Sequence, residues 1–204
     1  MDPKRAELVH AESAAEWRAW LERHHARETG AWLVSWKSST GRPRMTYEEA
    51  VLEALAYGWI DGQAKALDTE RSMQWFAPRR RGSGWSRPNK ERIVRLEREG
   101  RMTDAGRRVI ERARADGSWT LLDDAENLVV ADDLAAAFAA HPGSREQWDA
   151  FPPSARRAIL GWIALAKTAG TRERRVIRTA EAAAVGQRAN EWRPKDELTG
   201  RTES

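Results

Sequence analysis

The stretch from residue 46 to residue 89 constrains the fold of this chain more than any other part of the sequence. Thr46 and Glu49 have the spacing of a capping box, in which a hydroxyl and a carboxylate each bind a free backbone N–H at the start of a helix. Apolar residues then recur at helical spacing up to Gly58, a residue type that often ends a helix in the left-handed conformation. Two runs typical of strands follow around a polar turn, at residues 59–67 and 72–77. The stretch therefore predicts a helix that leads into a β-hairpin.

The rest of the chain extends this pattern into an α+β fold. Residues 31–37 alternate, with Trp32, Val34 and Trp36 on one side, which favours a third, half-buried strand. The C-terminal half shows only helical periodicity. We therefore predict a small N-terminal antiparallel sheet with packed helices, followed by an all-helical C-terminal segment that packs as part of the same unit. The predicted bounds are an α+β domain over 13–117, a linker over 118–130, the helical C-terminal segment over 131–188 and a disordered tail over 189–204.

Composition limits the classes of function. The chain of 204 residues has no cysteine, which excludes disulfides, thiol catalysis and zinc bound by cysteine. Lysine and arginine number 35 against 31 for aspartate and glutamate, a small excess that predicts at most weak, non-specific binding of nucleic acid. No apolar run approaches the roughly 20 residues that span a membrane, and the N-terminus has no apolar export signal. We therefore expect a cytoplasmic protein without membrane insertion.

The histidines and glycines give no sign of a metal or a cofactor. The four histidines lack the spacing of metal ligands, and His24 lies on a helix face where a partly buried structural role is the simpler interpretation. The glycines form neither a dinucleotide fingerprint nor a phosphate loop. The sequence therefore predicts no metal and no cofactor.

A candidate ligand site gathers around the predicted hairpin. Asp61 and Gln63 lie on its first strand and Trp75 on its second, and the following loop carries Arg79 and returns through two glycines to Trp85. Arginine offers a fork of donors to phosphate or carboxylate, and tryptophan can stack on a ring. We predict that these five residues line one concave site for an anionic or aromatic ligand. The structural alternative is that both tryptophans fill the core while Asp61 binds a local backbone donor.

A second basic patch lies on and before the last predicted helix, which Thr171 is predicted to cap. Its members are Lys167, Arg174, Arg175 and Arg178. Two glutamates on the same helix would partly neutralise it, so a solvated, ion-paired face is the alternative interpretation.

Several motifs in order resemble those of the bacteriocin-protection family, also called YdeI/OmpD-associated proteins. They include Trp17-x-x-Trp20-Leu21, Thr29-Gly30-Ala31-Trp32-Leu33, Thr46-Tyr47-Glu48-Glu49-Ala50, Gly58-Trp59-Ile60-Asp61-Gly62, Phe76-x-Pro78-Arg79-Arg80, Ser83-x-Trp85-Ser86-x-x-Asn89, Gly100-Arg101-Met102-Thr103, Trp162-Ile163-x-x-Ala166-Lys167 and Thr171-Arg172-x-Arg174-Arg175. The resemblance covers residues 13–188. It implies protection against bacteriocins or cationic antimicrobial peptides and an association with envelope proteins, and it brings no catalytic residues with it.

Together these observations predict a bacterial cytoplasmic stress-resistance protein of the bacteriocin-protection type. It would act by binding an anionic or aromatic ligand, or a protein partner, rather than by catalysis. Two alternatives stay open. One is a non-specific nucleic-acid-binding module that uses the arginine-rich stretches. The other is an enzyme on an anionic small molecule, with Asp61 as its acid or base.

Overall fold

A computed structural model describes residues 6–190, so residues 191–204 of the predicted tail lie outside the described chain. The chain divides into two compact units between Thr120 and Leu121. We call the part before this division the α+β unit and the part after it the helical unit. A unit with a sheet followed by an all-helical unit is the α+β class that the sequence predicts.

In its described part, residues 6–120, the α+β unit contains four strands and four α-helices. The strands are β1 (Leu8–His10), β2 (Ala31–Trp36), β3 (Trp59–Ala66) and β4 (Arg71–Pro78), and the helices are α1 (Ala14–His24), α2 (Tyr47–Ala56), α3 (Arg87–Arg98) and α4 (Asp104–Ala115). The strands form one sheet in the order β1-β2-β4-β3. The pairs β2–β4 and β3–β4 are antiparallel, as predicted, whereas β1 pairs with β2 in parallel. The sequence analysis missed β1, because three residues are too few to show an alternating pattern.

The helix and hairpin at the centre of the unit form for the predicted reasons. The capping box of α2 is complete: the Thr46 N–H donates to Glu49 Oε2 over 2.7 Å, and the Glu49 N–H donates to Thr46 Oγ1 over 3.2 Å. Gly58 follows the helix at φ 78°, in the left-handed region. A side chain at Gly58 would also collide with Val109 of α4. Glycine therefore both reverses the chain into β3 and lets α4 approach.

The sheet separates two faces with different roles. Phe76 of β4 points into the main core and is fully buried with Trp17, Trp59 and Trp85. Because side chains alternate along a strand, Trp75 points to the opposite face. Most of the buried aromatic side chains of the unit therefore lie on the helix-covered face of the sheet.

The helical unit has a core of its own. Its helices are α5 (Asp123–Glu126), α6 (Asp132–Ala140), α7 (Ser144–Ala150), α8 (Pro153–Ala164) and α9 (Ala169–Ala184). Leu134, Phe138, Trp148 and Ile163 are buried among one another. Because these helices bury their apolar faces against each other, they form a compact unit with its own core, and our expectation that the C-terminal segment packs with the α+β domain stays a prediction.

Two boundaries differ from the sequence analysis. Helix α9 begins three residues earlier than predicted, because Thr168 Oγ1 accepts from the backbone N–H of Thr171 and is the actual cap. The stretch 118–130, which we predicted as a linker, contains α5 and contributes Ala125 to the core of the helical unit. Among residues 6–190, no helix has the length and apolar character needed to cross a bilayer.

Candidate functional site

Arg79 occupies the centre of the candidate site. It follows β4 directly, and its backbone N–H donates to the carbonyl of Gly58 over 3.0 Å. Its guanidinium lies 3.7 Å from the ring centroid of Trp85, which forms part of the core. Only 5% of Arg79 is exposed, and Nη2 donates to the carbonyl of Gly84. The loop that closes on Trp85 thus holds a cation against the edge of the core.

Most of the donors of this guanidinium have no protein partner. Arg79 Nε and Nη1 are buried and find no acceptor in the described chain, which leaves three of the five N–H groups unpaired. Buried donors in native proteins are nearly always paired with protein, water or an ion. An unpaired buried cation is more costly still, because burial removes its hydration. The Nε and Nη1 groups of Arg79 could therefore donate hydrogen bonds to an anionic or polar partner.

Arg79 lines a small cavity, which we call the Arg79 pocket. Its volume is about 10 Å³, and it is lined by Arg79, Arg80, Arg81, Trp85, Val109, Arg112, Ala113, Asp116 and Ser118. Arg112 also donates to the carbonyl of Arg79 over 3.3 Å, which ties α4 to the loop. Four arginines against one aspartate make the wall strongly cationic. A cavity of this size admits a single water-sized atom or group.

The one carboxylate of the wall is already occupied. Asp116 accepts from the hydroxyl of Ser118 over 2.6 Å and from the backbone N–H of Ser118 over 3.0 Å. These hydrogen bonds lower the pKa of Asp116, so it is ionised at neutral pH. Its two oxygens are directed to Ser118 and Gly82 rather than to Arg79. Asp116 therefore shapes the pocket without neutralising Arg79.

Arg79 stays charged at neutral pH. Burial lowers the pKa of Arg79 to about 10, and the negative charge of Asp61 acts in the opposite direction. The pKa remains well above 7, so the guanidinium carries its proton. Because Asp61 and Arg79 do not form an ion pair in the described chain, the two charges interact only through space.

Asp61 lies on the helix-covered face of the sheet. It stands opposite Phe76 in the β3–β4 register, and directly opposed residues share a face. The Tyr47 hydroxyl of α2 donates to Asp61 Oδ2 over 2.7 Å. Partial burial and then this carboxylate raise the pKa of Tyr47 to about 12. The structural alternative was a bond from Asp61 to a local backbone donor; the structure instead gives Asp61 a side-chain bond from a neighbouring helix.

The structure separates Trp75 and Gln63 from Arg79 and Trp85. The register shifts between Asp61 and Ala64, so Gly62 and Gln63 together face Trp75 across a β-bulge. Trp75 lies on the face opposite Phe76 and meets Trp32 edge-on at 5.1 Å, while Gln63 is exposed. Our prediction that all five residues line one concave site is therefore wrong for Trp75, because strand alternation directs it away from Arg79.

Several residues of the pocket escaped the sequence analysis. Arg112, Asp116 and Ser118 come from α4 and the turn after it, more than 30 positions beyond Arg79. Tyr47, in the first turn of α2, does not line the pocket, but its bond to Asp61 was also not foreseen. No local pattern could have connected these positions, because the packing of α4 against α2 brings them together.

The helical unit offers a shallower site. An open groove of about 410 Å³ lies between α6 and α9 and is lined by Asp133, Ala137, Ala169, Arg172, Glu173, Val176 and Ile177. Asp133 and Arg172 form an ion pair of 2.7 Å on its rim. Among the second basic patch, Arg174, Arg178 and Lys167 are exposed, whereas Arg175 turns to Trp162, whose carbonyl it binds. The patch is thus three exposed cations rather than four.

Within residues 6–190, no three histidine, cysteine or carboxylate side chains are arranged to hold a metal ion.

Comparisons with known protein families divide the chain in the same way as the fold does. Residues 9–109 match a domain of unknown function (DUF8412), and residues 127–186 match the family described as bacteriocin-protection, YdeI or OmpD-associated. Neither the curated proteins nor the solved structures gave a significant match. The N-terminal motifs of the resemblance fall in the first region and the C-terminal motifs in the second. Residues 127–186 are therefore similar to the family described as bacteriocin-protection, YdeI or OmpD-associated.

Proposed function

We propose that this chain is a stress-resistance protein of the bacteriocin-protection type that acts in the cytoplasm by binding an anionic ligand in the Arg79 pocket. The family of the helical unit supports the protective role. The pocket lies in the α+β unit, so the proposal assigns ligand binding to one unit and the family character to the other. The observation that carries the binding role is the buried guanidinium of Arg79, whose Nε and Nη1 find no acceptor within residues 6–190.

The size of the pocket limits how a ligand would enter. A volume of about 10 Å³ takes one oxygen atom, not a whole phosphate or carboxylate. The anionic end of a ligand would therefore place one oxygen against Arg79, and the rest would extend outward over Arg80 and Arg81. Both of these arginines are exposed. A charge-assisted bond to a buried guanidinium is stronger than one in water, so even a small anionic group would gain affinity there.

The proposal assigns binding and not catalysis. Asp61, the candidate acid or base of the enzyme alternative, accepts a hydrogen bond from Tyr47. The raised pKa of Tyr47 keeps that phenol protonated at neutral pH, so it is not an activated base. None of the residues that line the Arg79 pocket is a histidine or a lysine. These features favour a site that holds an anion without transforming it.

The test is isothermal titration calorimetry of the whole protein with inorganic phosphate and acetate as probes, on wild type and on Arg79→Met. We expect the wild type to bind and the variant to lose binding by at least tenfold, because the only buried cation of the pocket is gone. The matched control is Arg175→Met. Arg175 also stacks on a tryptophan, Trp162, and also donates to a backbone carbonyl, but it lies outside the pocket.

A second readout separates a binding role from a structural one. A buried charge without an ionic partner costs free energy, so replacing it with an apolar side chain of similar length removes that cost. Arg79→Met should therefore keep or raise the denaturation midpoint while it abolishes anion binding. A variant that binds phosphate as the wild type does would overturn the proposal. Cells that carry the variant should also lose protection against a bacteriocin challenge if the pocket serves the protective role.

The nucleic-acid alternative has one specific observation in its favour. Lys90 and Arg114 both lie over the ring of Trp119, at 5.3 and 5.2 Å, on the α+β unit that carries the Arg79 pocket. A polyanion could bind such a surface, with an affinity that falls steeply as salt rises. We expect such binding to be weak and independent of sequence. Sequence-selective binding at about 10⁻⁸ M at physiological salt, measured by fluorescence anisotropy, would make this the leading function.

A further inference from the structure

The open groove between α6 and α9 of the helical unit has no role in the function proposed above. Its volume of about 410 Å³ lies within the range of about 300–1,000 Å³ that binding sites occupy. Four of its seven lining residues are apolar, namely Ala137, Ala169, Val176 and Ile177. Val176 is buried in the core of the unit, whereas Ile177 is 41% exposed. The groove therefore presents apolar surface that a partner could cover.

The charges of the groove leave one carboxylate available. Arg172 and Asp133 neutralise each other, because the guanidinium donates to Asp133 Oδ2 over 2.7 Å and to Oδ1 over 3.0 Å. Glu173 is the third charged residue of the lining, and it is exposed. Within residues 6–190 it forms no ion pair, and its neighbours three and four positions away along α9 are all uncharged. The groove thus combines an apolar surface with one uncompensated negative charge.

The exposed arginines of α9 do not supply the missing positive charge. Successive residues of an α-helix are rotated by about 100°, so Arg174 lies about 100° and Arg178 about 140° around the helix from Glu173. Neither arginine lines the groove. Ile177 lies only about 40° from Glu173, on the side of the groove. Glu173 is therefore left for a cation that a partner brings.

We propose that the groove between α6 and α9 binds an amphipathic helix of a protein partner, with apolar side chains against Ile177 and a lysine or arginine beside Glu173. Helices dock in grooves through apolar residues at helical spacing. The small side chains of Ala137 and Ala169 let such a helix approach closely. The free carboxylate favours a basic helix and disfavours an acidic one. This surface belongs to the helical unit, so the proposal does not depend on the Arg79 pocket.

Two synthetic peptides test the choice of partner. Both carry leucines along one face of a helix, and the other face is lysine in one peptide and glutamate in the other. Fluorescence anisotropy of a dye on the peptide measures binding to the whole protein. The chain has a formal charge of +4, so non-specific attraction favours the glutamate peptide. We expect the opposite order, with the lysine peptide bound at least about threefold more tightly.

Two variants of the groove, each with a matched control, test its residues. Ile177→Ser should weaken the lysine peptide about three- to eightfold, because only the exposed 41% of the side chain gains burial. Val185→Ser is its control, since Val185 is 67% exposed but does not line the groove. Glu173→Gln should weaken the lysine peptide about two- to fivefold. Glu181→Gln changes the net charge equally on the same helix, outside the groove, and should leave binding unchanged.

The proposal is overturned if the lysine peptide binds no more tightly than the glutamate peptide, or if Glu173→Gln and Glu181→Gln change its affinity equally. It is also overturned if sedimentation shows a dimer of the wild type that Ile177→Ser abolishes, because a second copy would then occupy the groove. Arg79→Met should bind the lysine peptide as tightly as wild type. Failure of the anion site is therefore visible without failure of the groove, and the reverse.

Discussion

Glu53 offers the sharpest test of what holds the α+β unit together. It lies in α2, is only 4% exposed, and receives a hydrogen bond on each of its oxygens. Arg18 of α1 donates to Oε2 over 2.8 Å, and Arg101, between α3 and α4, donates to Oε1 over 2.5 Å. One buried carboxylate therefore joins three parts of the chain that are distant in sequence. The perturbation is Glu53→Gln, which keeps the volume and removes the charge.

The expected loss follows from the two bonds. A hydrogen bond to a charged group contributes about 1.5–3 kcal/mol. Glutamine keeps one acceptor for one arginine but turns an amide toward the other. The side chains of Arg18 and Arg101 are 36% and 32% exposed, so water can recover part of their interaction. The loss should therefore fall below the roughly 3–5 kcal/mol for breaking a fully buried pair, at about 2–3 kcal/mol.

Urea denaturation at neutral pH measures this loss in the unfolding transition of the α+β unit. The control is Glu97→Gln, because Glu97 pairs with Arg107 at 3.0 Å but both side chains are more than 40% exposed. An exposed pair is worth about 0–1 kcal/mol. Equal losses for the two variants would refute the reasoning, since burial would then add nothing to the pair.

Two further predictions concern Tyr47 and the helix glycines. Because its folded pKa is raised from 10 to about 12, Tyr47 contributes stability that is complete below pH 10 and is lost as the pH rises towards 12. Asp61→Asn should lower this pKa, and absorbance titration of the phenol at alkaline pH would show it; an unchanged titration would contradict the contact. Gly106→Ala should destabilise by about 1–3 kcal/mol in urea denaturation, because its Cβ would overlap a carbonyl oxygen of α2. Gly161→Ala meets nothing closer than 3.9 Å and should stabilise by about 0.5–1 kcal/mol, so the same sign for both would refute the packing argument.

The fold was predictable where a local chemical signal decided it. The capping box at Thr46, the stop at Gly58 and the polar turn of the hairpin each act within a few residues, and each appears in the structure. Helix α9 shows the limit of such signals. Thr168 and Thr171 are equally good caps by type, and only the packing of the helix decides between them. The separate core of the helical unit could also not be predicted, because the apolar face of a helix does not show which other helix it packs against.

The candidate site was predictable in its centre and not in its extent. Sequence placed Arg79 beside Trp85 because a short glycine loop joins them, and the two are stacked in the structure. It could not reveal that the β-bulge and the strand alternation direct Trp75 to the other face. It also could not foresee Arg112, which reaches the pocket through the packing of α4. Whether Asp61, Gln63, Trp75, Arg79 and Trp85 bind ligands stays a prediction.

The parallel strand β1 has a consequence for any shortened form of the protein. It occupies the hydrogen-bonding edge of β2, and the backbone carbonyl of Glu7, just before β1, accepts from the backbone N–H of Trp32 over 2.9 Å. Residue 13, where the sequence analysis begins the α+β domain, lies after this strand. A fragment cut there would leave a central, tryptophan-rich strand with an open edge, and open edges template pairing between molecules. Strand β1, which shows no alternating pattern in the sequence, thus protects the edge of β2 from pairing with a second molecule.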